Sequence, residues 1–328
     1  MAQQERKENL LVFGATGYIG THIINKIIKN KESFGRIAIF TSPGTVENKP
    51  RVIAGFKANG VEIVVGDSTN ADDIVRALEG TLKSQSRSKT IADRVRDKHD
   101  RRNVIGEQIS WIKLAKQVPS ITRFFPSEYG TDIEYGPESA TEKPHQAKLK
   151  VRAALREASY LDLTYVVTGP YAEAVMRASK MPSAGSFNVK EKSAVLLGDG
   201  TGRISFTTKD DVGRLTVKAL LHPEVSRNRA LKVNSFTATD REILEEFEKQ
   251  TGGQKWKVEM TSLEKLRQLE KEAWESGNPV ATLFTLRRVW AEGGTLYKKR
   301  DNHLIDGDDT ETLQDAVRAA IASQLADD

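Results

Sequence analysis

Leu10-Leu11-Val12-Phe13-Gly14-Ala15-Thr16-Gly17-Tyr18-Ile19-Gly20 joins an apolar run to three glycines spaced three apart, and the helix-like THIINKIIKN (21–30) follows at once. The first glycine permits a tight turn, and the second lets backbone N–H groups approach a phosphate. The third lets the helix pack close to the strand with its positive N-terminal end aimed at the anion. Gly14, Thr16, Gly17, Tyr18, Ile19 and Gly20 are therefore candidate pyrophosphate-binding residues. A glycine triplet alone also suits any turn that needs positive φ. Its place between strand and helix, with further strand–helix units behind it, favours a dinucleotide.

Working outward, strand-like runs at 9–13, 36–42 (RIAIFTS) and 61–67 (VEIVVGD) alternate with helical segments at 18–30 and ADDIVRALEG (71–80) and with a helix or turn region around 50–59. After residue 103 the rhythm returns with IGEQISWIKLAKQV (105–118), TRFFPSE (122–128), a helix over 144–158 and LTYVVTG (163–169). This alternation predicts an α/β fold, a doubly wound parallel sheet of Rossmann type. The last third predicts a smaller mixed α/β substrate lobe: two strands around a glycine turn in KSAVLLGDGTGRISFTT, then helices near 209–223, 239–251, 262–275, 279–291 and 310–325. The boundaries read as 1–170 for the dinucleotide-binding domain and 171–328 for the lobe, with part of the sheet shared.

One stretch breaks the rhythm. A fourth strand, covered on both faces, should be nearly all apolar, but residues 81–102 read TLKSQSRSKTIADRVRDKHDRR. No strand period fits, and the segment reads as irregular or disordered, or at most a short polar helix over about 90–101. A polar, basic segment thus stands where the fourth strand is expected. Either it is translated intron or frame-shifted coding sequence, or it is genuine and marks a divergent relative. In the second case RVRDKHDRR suits a nuclear-localisation or anionic-partner patch.

Composition narrows the function classes. The 328 residues contain no cysteine, which excludes disulfides, thiolate metal sites and thiol nucleophiles. The five histidines are scattered without metal-binding spacing, so no metal site is expected. The formal charge of +5 is local: residues 81–102 hold eight basic residues against three aspartates, and the rest of the chain sums to zero. A neutral body with one basic segment is a poor footprint for a dedicated nucleic-acid binder. The polar start MAQQERKENL leads directly into the first strand, so no secretory signal is expected, and no apolar run approaches the ~20 residues that span a bilayer. The expected location is cytoplasmic, or nuclear, with no membrane association.

GATGYIG (14–20), RFFPSEYG (123–130), HQAKLKVRAALRE (145–157), TYVVTGPYAE (164–173) and LLGDGTGRISFTTKDDVG (196–213) together resemble the isoflavone reductase-like and NmrA-like group of atypical short-chain dehydrogenase/reductases. The resemblance runs from about residue 9 to 290 and is missing across 81–102. It implies NADP(H) as cofactor and reduction of a small, aromatic or phenylpropanoid-like substrate by hydride transfer. The same group includes non-catalytic NAD(P)-sensing regulators that act through a protein partner, and this is the alternative reading.

The residues themselves bear on the cofactor. No Asp or Glu stands in AIFTSPGTV (38–46), where an acidic residue would favour NAD. Thr41 and Ser42 could hydrogen-bond a 2′-phosphate, and Lys49 or Arg51 could neutralise it, although either lysine or arginine also suits a solvated loop. Asp67 resembles the family's adenine-proximal acid and equally suits a turn cap. No tyrosine has a lysine four residues on, which disfavours phenolate acid chemistry and an epimerase-like use of the fold. The resemblance instead places the acid–base lysine at Lys148. Periodicity alone leaves Lys148 and Lys150 equal, one on each side of the stripe Ala147, Val151, Ala154, Leu155 and Ala158. Ser127 and Glu128 are expected to shape the nicotinamide pocket. Tyr129, His145, Gly169, Pro170 and Tyr171 are expected to line the substrate side. The four separated tryptophans read as structural.

Overall fold

The computed structural model describes residues 7–80, 89–92 and 101–326. In chain order the first elements are β1 (Asn9–Phe13), α1 (Gly20–Lys29), β2 (Ile37–Thr41), α2 (Pro43–Asn48), α3 (Pro50–Ala58), β3 (Glu62–Val65), α4 (Ala71–Gly80) and β4 (Lys89–Ala92). Next come α5 (Arg101–Ala115), β5 (Arg123–Phe125), α6 (Gln146–Glu157), β6 (Asp162–Val167), α7 (Ala172–Val175), β7 (Ser186–Asn188), β8 (Ser193–Leu197) and β9 (Ile204–Phe206). The remainder is α8 (Lys209–Leu221), α9 (Pro223–Ser226), β10 (Arg229–Lys232), β11 (Phe236–Ala238), α10 (Asp240–Gln250), β12 (Lys257–Thr261), α11 (Leu263–Glu275), α12 (Ala281–Ala291) and α13 (Leu313–Ala326).

The chain divides into two compact units. Residues 1–128, 147–166 and 212–231 make the first, and 129–146, 167–211 and 232–328 the second. The chain thus crosses between units several times, whereas the sequence predicts one boundary near 170.

A seven-stranded sheet in the order β10-β6-β5-β4-β1-β2-β3 forms the centre of the first unit. Strands β1 to β6 pair in parallel, the arrangement a doubly wound fold requires. β1 and β2 are buried along their whole lengths, which explains their unbroken apolar runs. Against this sheet α1 packs the stripe Ile23, Ile24 and Ile27, all at helical spacing and all buried. Arg123, at the start of β5, is fully buried and donates to Thr164 Oγ1, the Ala219 carbonyl and Ser226 Oγ. Burial pushes its pKa down to about 10.

The expectation of no strand within 81–102 is corrected over 89–92. There β4 lies between β1 and β5, with Leu10 opposite Thr90, Leu11 opposite Ile91, and Ile91 opposite Phe124. Four residues, Lys-Thr-Ile-Ala, fill the slot, and a window that short disappears in the composition of its polar flanks. The β-branched pair Thr90-Ile91 is the only local signal for a strand there. Arg101 and Arg102 begin α5. The rest of that reading, residues 81–88 and 93–100, lies outside the described residues.

The second unit holds a three-stranded sheet, β12-β8-β7, and a two-stranded one, β11-β9. Phe187, Phe206, Phe247, Trp256 and Trp290 are buried together at its core. The two strands expected around the glycine turn exist as β8 and β9, but they belong to different sheets. Ahead of α8, the Glu173 carboxylate accepts the Lys209 N–H at 2.9 and 3.2 Å.

Burial raises the pKa of Glu173 above its ordinary value, against the hydrogen bond from Lys209. The folded protein therefore holds this proton more tightly than the unfolded chain. The associated stability is complete below the ordinary glutamate pKa and is lost as pH rises through the folded value. Glu173→Gln is expected to remove this slope. The difference in thermal midpoint between variant and wild type, followed from about pH 4 to 8, should shift in favour of the variant as pH rises; a pH-independent difference would refute the assignment.

Candidate cofactor and substrate site

The carboxyl ends of β1, β2, β3 and β5 carry most of the expected cofactor residues, at the sheet edge where open α/β folds bind ligands. After β1 the chain turns at Gly14, whose φ is +66°, and Gly17 N–H donates to the Gly14 carbonyl at 2.9 Å. Helix α1 then begins so close that a Cβ on Gly20 would lie 2.0 Å from the Gly14 oxygen. No side chain caps this helix and no acidic residue stands in its first turn. The Thr21 N–H donates to the Gly17 carbonyl at 3.1 Å, and the positive end of the helix dipole at the loop favours an anion. Ile19 is buried beneath the loop and Tyr18 is exposed beside it. The cradle suits the pyrophosphate of a dinucleotide: the turn at Gly14 leads straight into an uncapped helix, and a side chain at its third glycine has no room.

The other cofactor candidates divide. Lys49 Nζ donates to the Thr16 carbonyl at 2.9 Å, which brings its charge to the glycine loop. Thr41 is buried at the end of β2, and Ser42 Oγ accepts the Thr45 N–H as the cap of α2. Arg51 is exposed on α3. Asp67 accepts the backbone N–H and the hydroxyl of Thr69 through one oxygen, so it closes the turn after β3. In the same turn, the Asp67 N–H donates to Asp73, which lowers the pKa of that carboxyl. Trp111 is structural, stacked on Phe13 at 4.3 Å with its indole N–H on the Ser68 carbonyl.

Beyond β5, Ser127 is buried and its N–H donates to Gln108 Oε1. Glu128 is buried and forms a two-pronged ion pair with Arg152 of α6, at 2.9 and 3.1 Å. The Arg152 guanidinium stacks on Tyr165 at 4.4 Å. The backbone carbonyl of the same Glu128 accepts Lys148 Nζ at 2.5 Å. One residue therefore holds α6 twice, one turn apart: by its carboxylate at Arg152 and by its carbonyl at Lys148. Lys148 is half-buried, whereas Lys150 is exposed, a distinction periodicity could not make.

Arg152 and Gln108 are the residues that sequence reasoning missed. A charged residue on the buried side of α6, with Val151 and Leu155, was the available signal for the first. Nothing in the sequence singles out Gln108.

In the second unit the chain around Tyr129 and Tyr171 is drawn together. Tyr129 is buried with φ of +23°, an uncommon conformation for a bulky residue. Its carbonyl accepts the Tyr171 hydroxyl, and Gly169 N–H donates to the Gly130 carbonyl at 2.9 Å. Gly169 has φ of +67°, and a Cβ there would lie 2.3 Å from the Ser205 oxygen. The Pro170 carbonyl accepts the Thr207 N–H. His145 is buried in the short turn Lys143–His145, with Nδ1 3.3 Å from the Ser139 carbonyl and its ring edge-on to Tyr135. Among the described residues no cluster of three or more histidine, aspartate or glutamate side chains suits a metal ion, and no helix is long and apolar enough to cross a membrane.

Comparison with known proteins places this geometry in a wider group. The chain is 28% identical over 246 residues to a phenylcoumaran benzylic ether reductase of Pinus taeda, covering 74% of this chain and 75% of the relative. It is 27% identical over 297 residues to an isoflavone reductase homolog of Arabidopsis thaliana, covering 88% of each. Its fold matches that of leucoanthocyanidin reductase from Vitis vinifera, solved with NADPH, with a TM-score of 0.77 over 96% of this chain and 99% of the other at 18% identity. An isoflavone reductase structure matches with a TM-score of 0.76 over 95% and 99% of the two chains at 21% identity. The NmrA-like family model matches residues 6–290, so the chain belongs to the NmrA-like family.

Proposed function

We propose that this protein is an NADPH-dependent reductase of a small aromatic, phenylpropanoid-like molecule, with Lys148 as its acid–base group. The observation that carries the reading is the half-buried Lys148 ammonium, held on the Glu128 carbonyl beyond the same sheet edge that carries the glycine cradle. The relatives named for phenylcoumaran benzylic ether and isoflavone reduction support the substrate class. NADPH, when bound, supplies the hydride. Gly14, Thr16, Gly17 and Gly20 would hold its pyrophosphate, and Lys49 together with Ser42 would favour the 2′-phosphate. The Glu128 carbonyl accepts an N–H of Lys148 and so fixes where the ammonium sits. Lys148 holds a proton at Nζ for the substrate oxygen that gains charge as the hydride arrives, and a positioned acid of this kind contributes about 10²- to 10⁴-fold.

Steady-state assays on a panel of benzylic ethers and enones, beside direct binding of NADPH and NADH, test this. We expect NADPH consumption, and tighter binding of NADPH than NADH. Lys148→Ala should lose about a hundredfold or more in kcat with its NADPH affinity unchanged. NADPH binding without turnover across the panel would instead support a dinucleotide-sensing regulator. A Lys148→Ala variant of full activity would remove the lysine from the mechanism.

A further inference from the structure

We propose that β12 is a self-association strand, through which two copies of this chain pair antiparallel about a twofold axis at Val258. This goes beyond the reductase reading and does not depend on it. Among the described residues β12 is the edge strand of the three-stranded sheet of the second unit, paired in parallel to β8 alone. Lys257 N–H donates to the Lys192 carbonyl and Gly198 N–H to the Thr261 carbonyl, each at 2.9 Å. In a parallel ladder this turns the backbone groups of residues 257, 259 and 261 toward β8, and those of Val258 and Met260 outward.

The side chains follow a matching alternation. Val258 stands opposite Ala194 and Met260 opposite Leu196, and Ala194 and Leu196 belong to the buried core with Phe187 and Phe247. The core face of the sheet therefore continues onto β12, where Val258 remains 39% and Met260 52% exposed. Lys257 and Glu259 occupy the other face, also exposed, and pair with each other at 3.0 Å. An edge with outward backbone groups and exposed apolar side chains is a template for another strand, and charges are the usual protection.

Here the charges select the partner. With the axis at Val258, Lys257 of each copy lies opposite Glu259 of the other, giving two complementary pairs in the non-hydrogen-bonded positions where side chains come closest. Moving the axis to Glu259 or to Lys257 sets like charges against each other. An axis at Met260 leaves Lys257 without an opposite charge. Val258 would then exchange both backbone hydrogen bonds with its counterpart, and the apolar rims of the two copies would meet.

Sedimentation or light scattering of the full-length protein at about 100 μM and low salt tests this. We expect a dimer. Lys257→Glu and Glu259→Lys, each alone, should weaken association about tenfold or more, because each turns both pairs repulsive. Mixed in equal amounts, the two variants should regain the dimer, because the complementary pairs then form only between unlike chains. Both positions are exposed, so unchanged thermal midpoints confirm that the variants fold. A wild type that remains monomeric overturns the proposal, as does a dimer indifferent to both reversals or a mixture that stays dissociated.

Discussion

Replacing Arg152 with alanine is expected to destabilise the protein by about 3–5 kcal/mol. The guanidinium is 1% exposed and its carboxylate partner, Glu128, 2% exposed. A buried pair of this kind contributes little compared with two well-packed apolar residues, because both ions lost their water. Removing one partner is another matter, since the Glu128 charge would stay buried with no counter-ion. At roughly 2–4 °C per kcal/mol the thermal midpoint should fall by about 10 °C. Activity should fall as well, because the Glu128 carbonyl that accepts Lys148 Nζ would lose its anchor on α6. NADPH affinity should change far less, since the glycine cradle does not involve α6. The double variant Arg152→Met with Glu128→Gln removes both charges and should recover most of the stability. A single variant that loses less than about 1 kcal/mol would mean that Glu128 finds water or another cation when Arg152 is gone.

The Glu128–Arg152 pair also shows where the sequence stops being legible. The partners lie 24 residues apart, and only the packing of α6 against the end of β5 brings them together. The glycine loop is legible for the opposite reason: its turn, its close approach and its helix start are all local, encoded within seven residues. Asp67 and Ser42 fall between. Each is recognisable as a polar residue at a strand end, but the sequence leaves open whether it turns to the ligand or to its own backbone. The structure shows both bonded to their own turns. The fourth strand was missed because a slot in a parallel sheet can be filled by a few residues once its neighbours are paired on both sides. β1 supplies four partners and β5 three, so register is imposed by the neighbours and not by an apolar pattern within 81–102. Lys148 and Lys150 are equivalent on a helical wheel and are separated by burial and by the carbonyl that Lys148 reaches.

The cradle itself gives the sharpest expected effect. Helix propensity favours Gly20→Ala, by up to about 1 kcal/mol at an interior helical position. Packing predicts the opposite. The new Cβ would stand 2.0 Å from the Gly14 oxygen, 2.9 Å from the Gly14 carbon and 3.2 Å from the Ala15 Cα, all backbone atoms. None can swing aside as a side chain would. The Gly14 carbonyl is also committed to the Gly17 N–H, and Gly14 already uses a positive φ. The start of α1 would have to retreat by roughly 1 Å or more, drawing Ile23, Ile24 and Ile27 from the core, and overpacking of this kind costs about 1–3 kcal/mol or more. The expected cost to the ligand is larger, because the helix start proposed to receive the pyrophosphate would move. NADPH binding should weaken by about 10³-fold, equivalent to roughly 4 kcal/mol. Gly55→Ala in α3 is the matched control, because a Cβ there meets nothing within 4 Å. That variant should keep full NADPH affinity and gain about 0.5–1 kcal/mol of stability. Gly20→Ala binding NADPH like the wild type would show that α1 can shift without losing the phosphate, and the cradle would not be the determinant of cofactor binding.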